Sequence, residues 1–319
     1  VKKALVHDCD PGNDDALGIL VAAAHPALDL MAVTTGAGHL EADRTARNAA
    51  IVAHIAGLGA PVAAGAARPL VRERLVAGVL DFEAGLDRER PDLPAVALDP
   101  RSSAELIVQT ALVNPGLVVA CTGPLTNLAL ALRMKPRIAG HIGRIVALGG
   151  AWGLGNKTAA AEWNVLSDPE AAAIVYGSGV PITMIPIDAA APVGIDEALV
   201  AEVGAGGGSI CALAAELLGS LRATHRPGPF GPKDAALNDP LALLIAAVPD
   251  LARVLPARVD IELAGAFTYG RSVVDFAGRS GRPANCEVVV EIDAARARAI
   301  FLETLVAASR SAAPSQETP

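Results

Sequence analysis

Aromatic side chains make up only 3% of this 319-residue chain, so its core has to be built from small and branched aliphatics. The 52% hydrophobic content, much of it Ala, Val and Leu, is enough to fill one large domain or two small ones. Basic residues are outnumbered, 26 Lys and Arg against 34 Asp and Glu, leaving a formal net charge of -8. Nucleic acid phosphates are gripped by clustered Lys and Arg, so a nucleic-acid partner is not expected. Long apolar runs are missing too. The longest, such as Leu241 to Val248, fall far short of a bilayer span, and no membrane partner is expected. No basic-then-apolar signal segment opens the chain, and the four cysteines (Cys9, Cys121, Cys211, Cys286) include no CxxC pair. Buried reduced thiols in a cytoplasmic protein are the expectation. The glycines at 149–150 and 204–208 lack the Lys-Ser/Thr of a phosphate loop and read as permissive backbone.

What the chain does have is an acidic turn near its start. An apolar run, Ala4-Leu5-Val6, leads into Asp8-Cys9-Asp10, turns through Pro11-Gly12-Asn13, and resumes an apolar pattern at Asp14-Asp15. This spells strand, tight turn, helix start. Asp14 and Asp15 fall in the first helical turn, where free backbone N–H groups favour anions. That does not account for Asp8 and Asp10, which crowd four negative charges together unless a cation or protons intervene. Oxygen donors without His or Cys suit a hard divalent ion, Ca²⁺ or Mg²⁺. Ordinary helix capping is the bland alternative, and the DxDPxxDD spacing after a clean strand outweighs it.

Along the rest of the chain, strands and helices alternate. Strands are expected at 28–34, 117–121, 144–148, 182–187, 258–264 and 286–292; helices are expected at 41–57, from Ser102-Ser103 to about 113, from 123, from Asp168-Pro169, at 196–204 and 209–224, from Asn238 and at the C-terminus. Residues 61–100 read as loops and short elements. The class is α/β: a single domain over residues 1–308 with a mostly parallel, doubly wound sheet and helices on both faces, and a frayed tail at 309–319. Ligands bind beyond the carboxyl ends of such strands, where Asp10, His39, Thr122, Gly149 to Asn156 and Asp188 all fall.

Several motifs in order carry a resemblance: HDCDPGNDDALGIL, CTGPLTNLA at 121–129, LGGAWGLGN at 148–156, AEWNVLSDPEAA at 161–172, Asp239 before a helix, then YGRSVVDF and RPANCEV. From residue 3 to about 305 the chain resembles the inosine–uridine nucleoside hydrolase family. The resemblance implies an N-ribohydrolase that uses Ca²⁺ to split ribose from a nucleobase. It implies Asp10, Asp15, Asp239 and the Thr122 carbonyl as metal ligands, with Asp10 also the base that activates water at the metal. Asp14, Asn156, Glu162 and Asn164 would hold the ribose hydroxyls. A ribonucleoside is the implied partner, and a homodimer or homotetramer the implied assembly. Such chemistry is coherent, because glycosidic cleavage through an oxocarbenium-like state needs an activated nucleophile and nearby negative charge.

Leaving-group chemistry is where the chain departs from the family. Asn238 stands where many members have His, and an amide is no general acid. His39 replaces a common Asn, and Asp81 a common His. His39 is therefore a candidate catalytic group, against the bland reading of a loop histidine bonded to backbone. His225 and Phe230 border a loop that closes over the base in relatives, although solvated loop residues are commoner. Trp163 can pack on sugar or base, and both it and Trp152 can simply be buried. Asn156 and Asn164 can be turn residues, but beside Glu162 they read better as polar recognition. Two other classes compete with hydrolysis of nucleosides: a ribose- or nucleoside-binding protein without turnover, motivated by Asn238, and a Mg²⁺-dependent phosphatase, motivated by the strand-ending DxD.

Overall fold

The computed structural model describes residues 2–75, 86, 97–227 and 231–312. β1 (Lys3–Cys9) is buried over its last five residues, and α1 (Asn13–Ala24) starts after a three-residue turn with Asp14 and Asp15 in its first turn. β2 (Leu28–Thr35) and α2 (Ala42–Ile55) complete the expected opening, followed by a two-residue strand, β3 (Val62–Ala63). α3 (Ser103–Val113) begins at Ser102, whose Oγ accepts from the Glu105 amide while the Glu105 carboxylate accepts from the Ser102 amide. β4 (Leu117–Cys121), α4 (Thr126–Met134), β5 (Ile142–Leu148) and the short α5 (Trp163–Ser167) come next. α6 (Pro169–Tyr176) is capped by Asp168 with Pro169 in its first position, as the sequence predicts. The chain then runs through β6 (Ile182–Ile185), α7 (Ile187–Ala190), α8 (Glu197–Ala205), α9 (Gly208–Thr224) and α10 (Asn238–Ala247). It closes with β7 (Ala252–Ile261), β8 (Ser272–Asp275), β9 (Cys286–Ile292) and α11 (Ala294–Ala312).

Among the described residues these strands form one nine-stranded sheet in the order β3-β2-β1-β4-β5-β6-β9-β7-β8. Pairing is parallel from β3 through to β9 and antiparallel at β9-β7 and β7-β8. Alternation along β1 sorts the core. Leu5 and Cys9 join α1, α9, α10 and α11 on one face, while Val6 joins α3, α4 and α6 on the other. The doubly wound α/β class is thus the architecture observed.

Sequence and structure differ at the far edge. The strand expected at 258–264 is the second half of β7, and β8 was not foreseen, because these antiparallel strands are half exposed and lack the apolar runs of the parallel ones. The strand expected to reach residue 187 stops at Ile185, where Pro186 removes a ladder donor and leads into α7. The tail expected from Ser309 starts too early: α11 continues to Ala312, and Ser309 is buried with Oγ accepting from the Cys211 amide at 3.0 Å. Small polar residues read as frayed in sequence, yet here they let α11 approach α9. All four cysteines are free and buried, and no helix among the described residues is long and apolar enough to cross a membrane.

Candidate active site

The ends of β1, β2, β4 and β5 and the start of α10 converge beyond the carboxyl edge of the sheet, where an α/β fold places its ligand. Asp10, one residue past β1, is 1% exposed. Its Oδ2 accepts the His39 amide at 2.9 Å and pairs with His39 Nδ1 at 3.1 Å. Two close backbone approaches make room for this carboxylate, since a Cβ at Gly38 or at Gly123 would collide with it. The His39 ring stacks on Trp163 with centroids 4.3 Å apart and 16° between planes, and its side chain stays 40% exposed. Burial on its own lowers the His39 pKa, but the hydrogen bond and charge of Asp10, with Asp14 and Glu162 behind it, raise it above the ordinary value.

Asp15 turns back from α1 beneath Asp10. Its Oδ1 accepts Thr122 Oγ1 at 2.6 Å and the Asp10 amide at 3.3 Å, and its Oδ2 accepts the Gly12 amide at 3.3 Å. Oxygens of Asp14, Asp15 and Asp239 lie within 4.8 Å of one another, Asp239 arriving from the first turn of α10. Burial, then the charges of their neighbours, push Asp15 and Asp239 well above the usual carboxylate range. Asp10 stands outside that closest set, and its Oδ2 is turned to His39. The Thr122 carbonyl accepts Asn164 Nδ2 at 2.7 Å.

Asp8, the fourth acid of the turn, is crowded as expected, burial first and then the charge of Asp10 pushing its carboxyl up to about 7, but it also ties elements together. Its Oδ1 accepts Thr34 Oγ1 at 2.7 Å and Asn127 Nδ2 at 2.9 Å, tying β1 to β2 and α4. Buried and bonded in this way, the first acid of the DxD is no accessible nucleophile, which removes the ground for the phosphatase.

The far wall is built on the turn after β5. Gly150 has φ of 75°, and a Cβ there would meet Met184 and Ser272, so only glycine fits. Its amide donates to Glu162 Oε2 at 2.8 Å, while Asn164 and Val165 amides donate to the same buried carboxylate at 2.9 and 3.1 Å. Asn156 is exposed at the rim, and its Oδ1 accepts the Trp163 amide at 2.9 Å. Lys157 Nζ sits 4.6 Å above the Trp163 ring. Asp188 accepts the Trp152 and Gly153 amides, and Arg271 donates to the carbonyls of Trp152, Gly153 and Ala160, so the loop is clamped from both sides.

Not every candidate is drawn in. Asn238 is half-buried at the start of α10. His225 is a loop histidine whose Nε2 donates to the Pro232 carbonyl at 3.0 Å. Asp81 and Phe230 lie outside the described residues. Sequence reading missed Asn127, Arg271 and Ser272, which act by tying loops rather than by facing the site, and it missed His7. That residue is fully buried, its Nε2 lies 2.9 Å from Thr122 Oγ1, and burial lowers its pKa to about 3. The only available signal was a polar residue in an apolar strand.

The donor set suits a hard cation. Asp10, Asp14, Asp15 and Asp239 offer only oxygen, and among the described residues no Lys or Arg pairs with any of them.

The chain is similar to known proteins along nearly its whole length. A family model described as inosine-uridine preferring nucleoside hydrolase matches residues 5–299. The pyrimidine-specific ribonucleoside hydrolase RihA of Citrobacter koseri is 38% identical over 291 residues, covering 91% of this chain and 93% of that protein. Among solved structures, the purine-preferring ribonucleoside hydrolase from Gardnerella vaginalis superposes with a TM-score of 0.85 at 28% identity, covering 97% of this chain and 100% of that one. A plant nucleoside hydrolase matches with the same TM-score at 27% identity, covering 96% and 99%.

Proposed function

The chain belongs to the inosine-uridine preferring nucleoside hydrolase family and is a nucleoside hydrolase, and from that premise we propose that it cleaves pyrimidine ribonucleosides to ribose and free base with Ca²⁺ at the acidic turn. One observation carries the reading: four buried or half-buried acids, Asp10, Asp14, Asp15 and Asp239, converge at the carboxyl edge of the sheet with no Lys or Arg partner among the described residues. Asp10, Asp15, Asp239 and the Thr122 carbonyl would hold the ion. When bound, the ion acidifies water and orients the sugar.

The chain's own residues do the rest. Asp10 Oδ2 is fixed by His39, which leaves Oδ1 to take the proton of the attacking water. Asp14, Glu162, Asn164 and Asn156 are assigned to the ribose hydroxyls, and the negative charge of the acids offsets the positive charge that develops on the ring. The Trp163 ring, buried and stacked on His39, holds that imidazole in place rather than presenting an open face to the substrate. Asn238 has no proton to give as an acid, so His39 is assigned the proton donated to the departing base; its half-exposed ring, held on Asp10 through Nδ1, supports that role. The 38% identity to the pyrimidine-specific RihA protein supports the pyrimidine preference. Homodimeric or homotetrameric assembly is part of the same reading, supported by the exposed Leu263, Phe267, Val273 and Phe276 on and around β8.

Reducing-sugar release from uridine, cytidine and inosine, with Ca²⁺ and after chelation, tests the proposal. Pyrimidine release that needs Ca²⁺ and falls about 10² to 10⁴-fold in Asp10→Ala is expected. Asn238 also favours a second reading, nucleoside binding without turnover. Calcium-bound protein that binds nucleosides and releases no sugar from any of them would establish that reading instead.

A further inference from the structure

Beside the acid cluster lies a second donor set of different chemistry. A ring nitrogen of His7, Sγ of Cys9 and a carboxylate oxygen of Asp15 all lie within 4.8 Å of one another, and all three residues are buried. His7 and Cys9 are two apart on β1 and leave the same face of the sheet, towards α1, from whose first turn Asp15 arrives. Neither His7 nor Cys9 is well served by protein partners. His7 Nε2 lies 2.9 Å from Thr122 Oγ1, which is itself 2.6 Å from Asp15 Oδ1. His7 Nδ1 is buried with no hydrogen-bond partner among the described residues. Among the described residues Cys9 Sγ has one long hydrogen bond, to the Thr34 carbonyl at 3.6 Å. A leucine at position 7 would meet the packing need of this strand without an unpaired polar atom. Nitrogen, sulfur and oxygen together select borderline ions such as Zn²⁺, where oxygen alone selects Ca²⁺.

We propose that His7, Cys9 and Asp15 form a binding site for a borderline-soft divalent cation, with Zn²⁺ the representative ion. Asp15 belongs to both donor sets, so occupation of this site competes with a hard ion at the acidic turn. Binding deprotonates Cys9, whose proton leaves to solvent, and takes a lone pair from neutral His7; nothing is oxidised or reduced. The site itself rests on the geometry of these three residues, and its inhibitory consequence rests on the hydrolase reading above. The two are tested apart.

Metal-free protein is titrated with Co²⁺, and with Cd²⁺ as a second probe, while thiolate-to-metal charge-transfer absorption is followed in the native chain, Cys9→Ala, Cys9→Ser and His7→Leu. The native chain is expected to show the absorption at one equivalent, both Cys9 variants to lose it, His7→Leu to bind about tenfold or more weakly, and excess Ca²⁺ to suppress it. Two Cys9 variants guard against one failing to fold, and circular dichroism checks each. In parallel, Zn²⁺ inhibition of sugar release at fixed Ca²⁺ is expected to need about tenfold or more Zn²⁺ in the variants. No thiolate absorption in the native chain, or absorption that persists in folded Cys9→Ser, overturns the site. Zn²⁺ inhibition equal in all four proteins overturns the competition.

Discussion

At Asp10 the two carboxylate oxygens have separate neighbours, and the separation depends on glycines in other loops. Gly38 and Gly123 press backbone against the side chain, so its position is set by residues that carry no chemistry themselves. A methyl group at Gly38 has to displace the carboxylate. Gly38→Ala is therefore expected to lower kcat by about 10²-fold or more, the cost of roughly an ångström of misplacement. Steady-state kinetics on uridine, with circular dichroism to show a retained fold, is the check. Asp99 offers a residue-scale test in acid. The Arg101 guanidinium, bonded to both its oxygens at 2.7 and 2.6 Å, holds its pKa at about 2. A depressed carboxylate stabilises the fold above its ordinary value near 3.8 and loses that contribution as pH falls through about 2. The destabilisation caused by Arg101→Gln is thus expected to be full at pH 6 and smaller at pH 3, read from urea midpoints at the two pH values.

Among the elements, α6 shows how a helix start is also a tertiary joint. Asp168 caps the helix through the Ala171 amide at 3.0 Å, while its other oxygen accepts Thr126 Oγ1 at 2.7 Å and the Leu70 amide at 2.9 Å. Burial raises its pKa even with those three donors around it. Asp168→Ala leaves two buried donors and one half-buried donor without an acceptor, and a loss of about 2 to 4 kcal/mol is expected, more than an exposed cap supplies. Chemical denaturation would show it. α1 and α10 matter in another way. Each delivers acids to the site from its first turn, where the local field already favours negative charge.

For the whole molecule, the strand order decides which loops meet. Placing β1 between β2 and β4 brings residues 8–15, 35–39 and 121–127 together, and β5 next to β4 adds the Gly150 turn. A recess of about 870 Å³ lies at the opposite, amino ends of these strands, lined by Lys3, Asn114, Arg144 and Glu287, and has none of the acid cluster. A Ca²⁺ ion on Asp15, Asp239 and Thr122 would join α1, α10 and β4, elements far apart in sequence. Calcium at a hundredfold excess over Kd is expected to stabilise the fold by about 2.7 kcal/mol, and chelation to remove it. Thermal unfolding with Ca²⁺ and with a chelator measures this, and Asp239→Asn should shrink the difference.

Taken alone, the sequence determined the fold class, most element positions, the acidic turn and the likeness to nucleoside hydrolases, because each is written in local spacing. Apolar runs mark buried parallel strands, Asp168-Pro169 marks a helix start, and the motifs mark strand ends. Tertiary structure alone decided how the four acids of the turn divide, with Asp8 bonded to Thr34 and Asn127, Asp10 to His39, and Asp15 to Thr122. It also decided that Ser309 is buried and that β8 exists. These outcomes depend on which strands and helices become neighbours, and contacts between residues 26 to 119 positions apart leave no period in the chain to read.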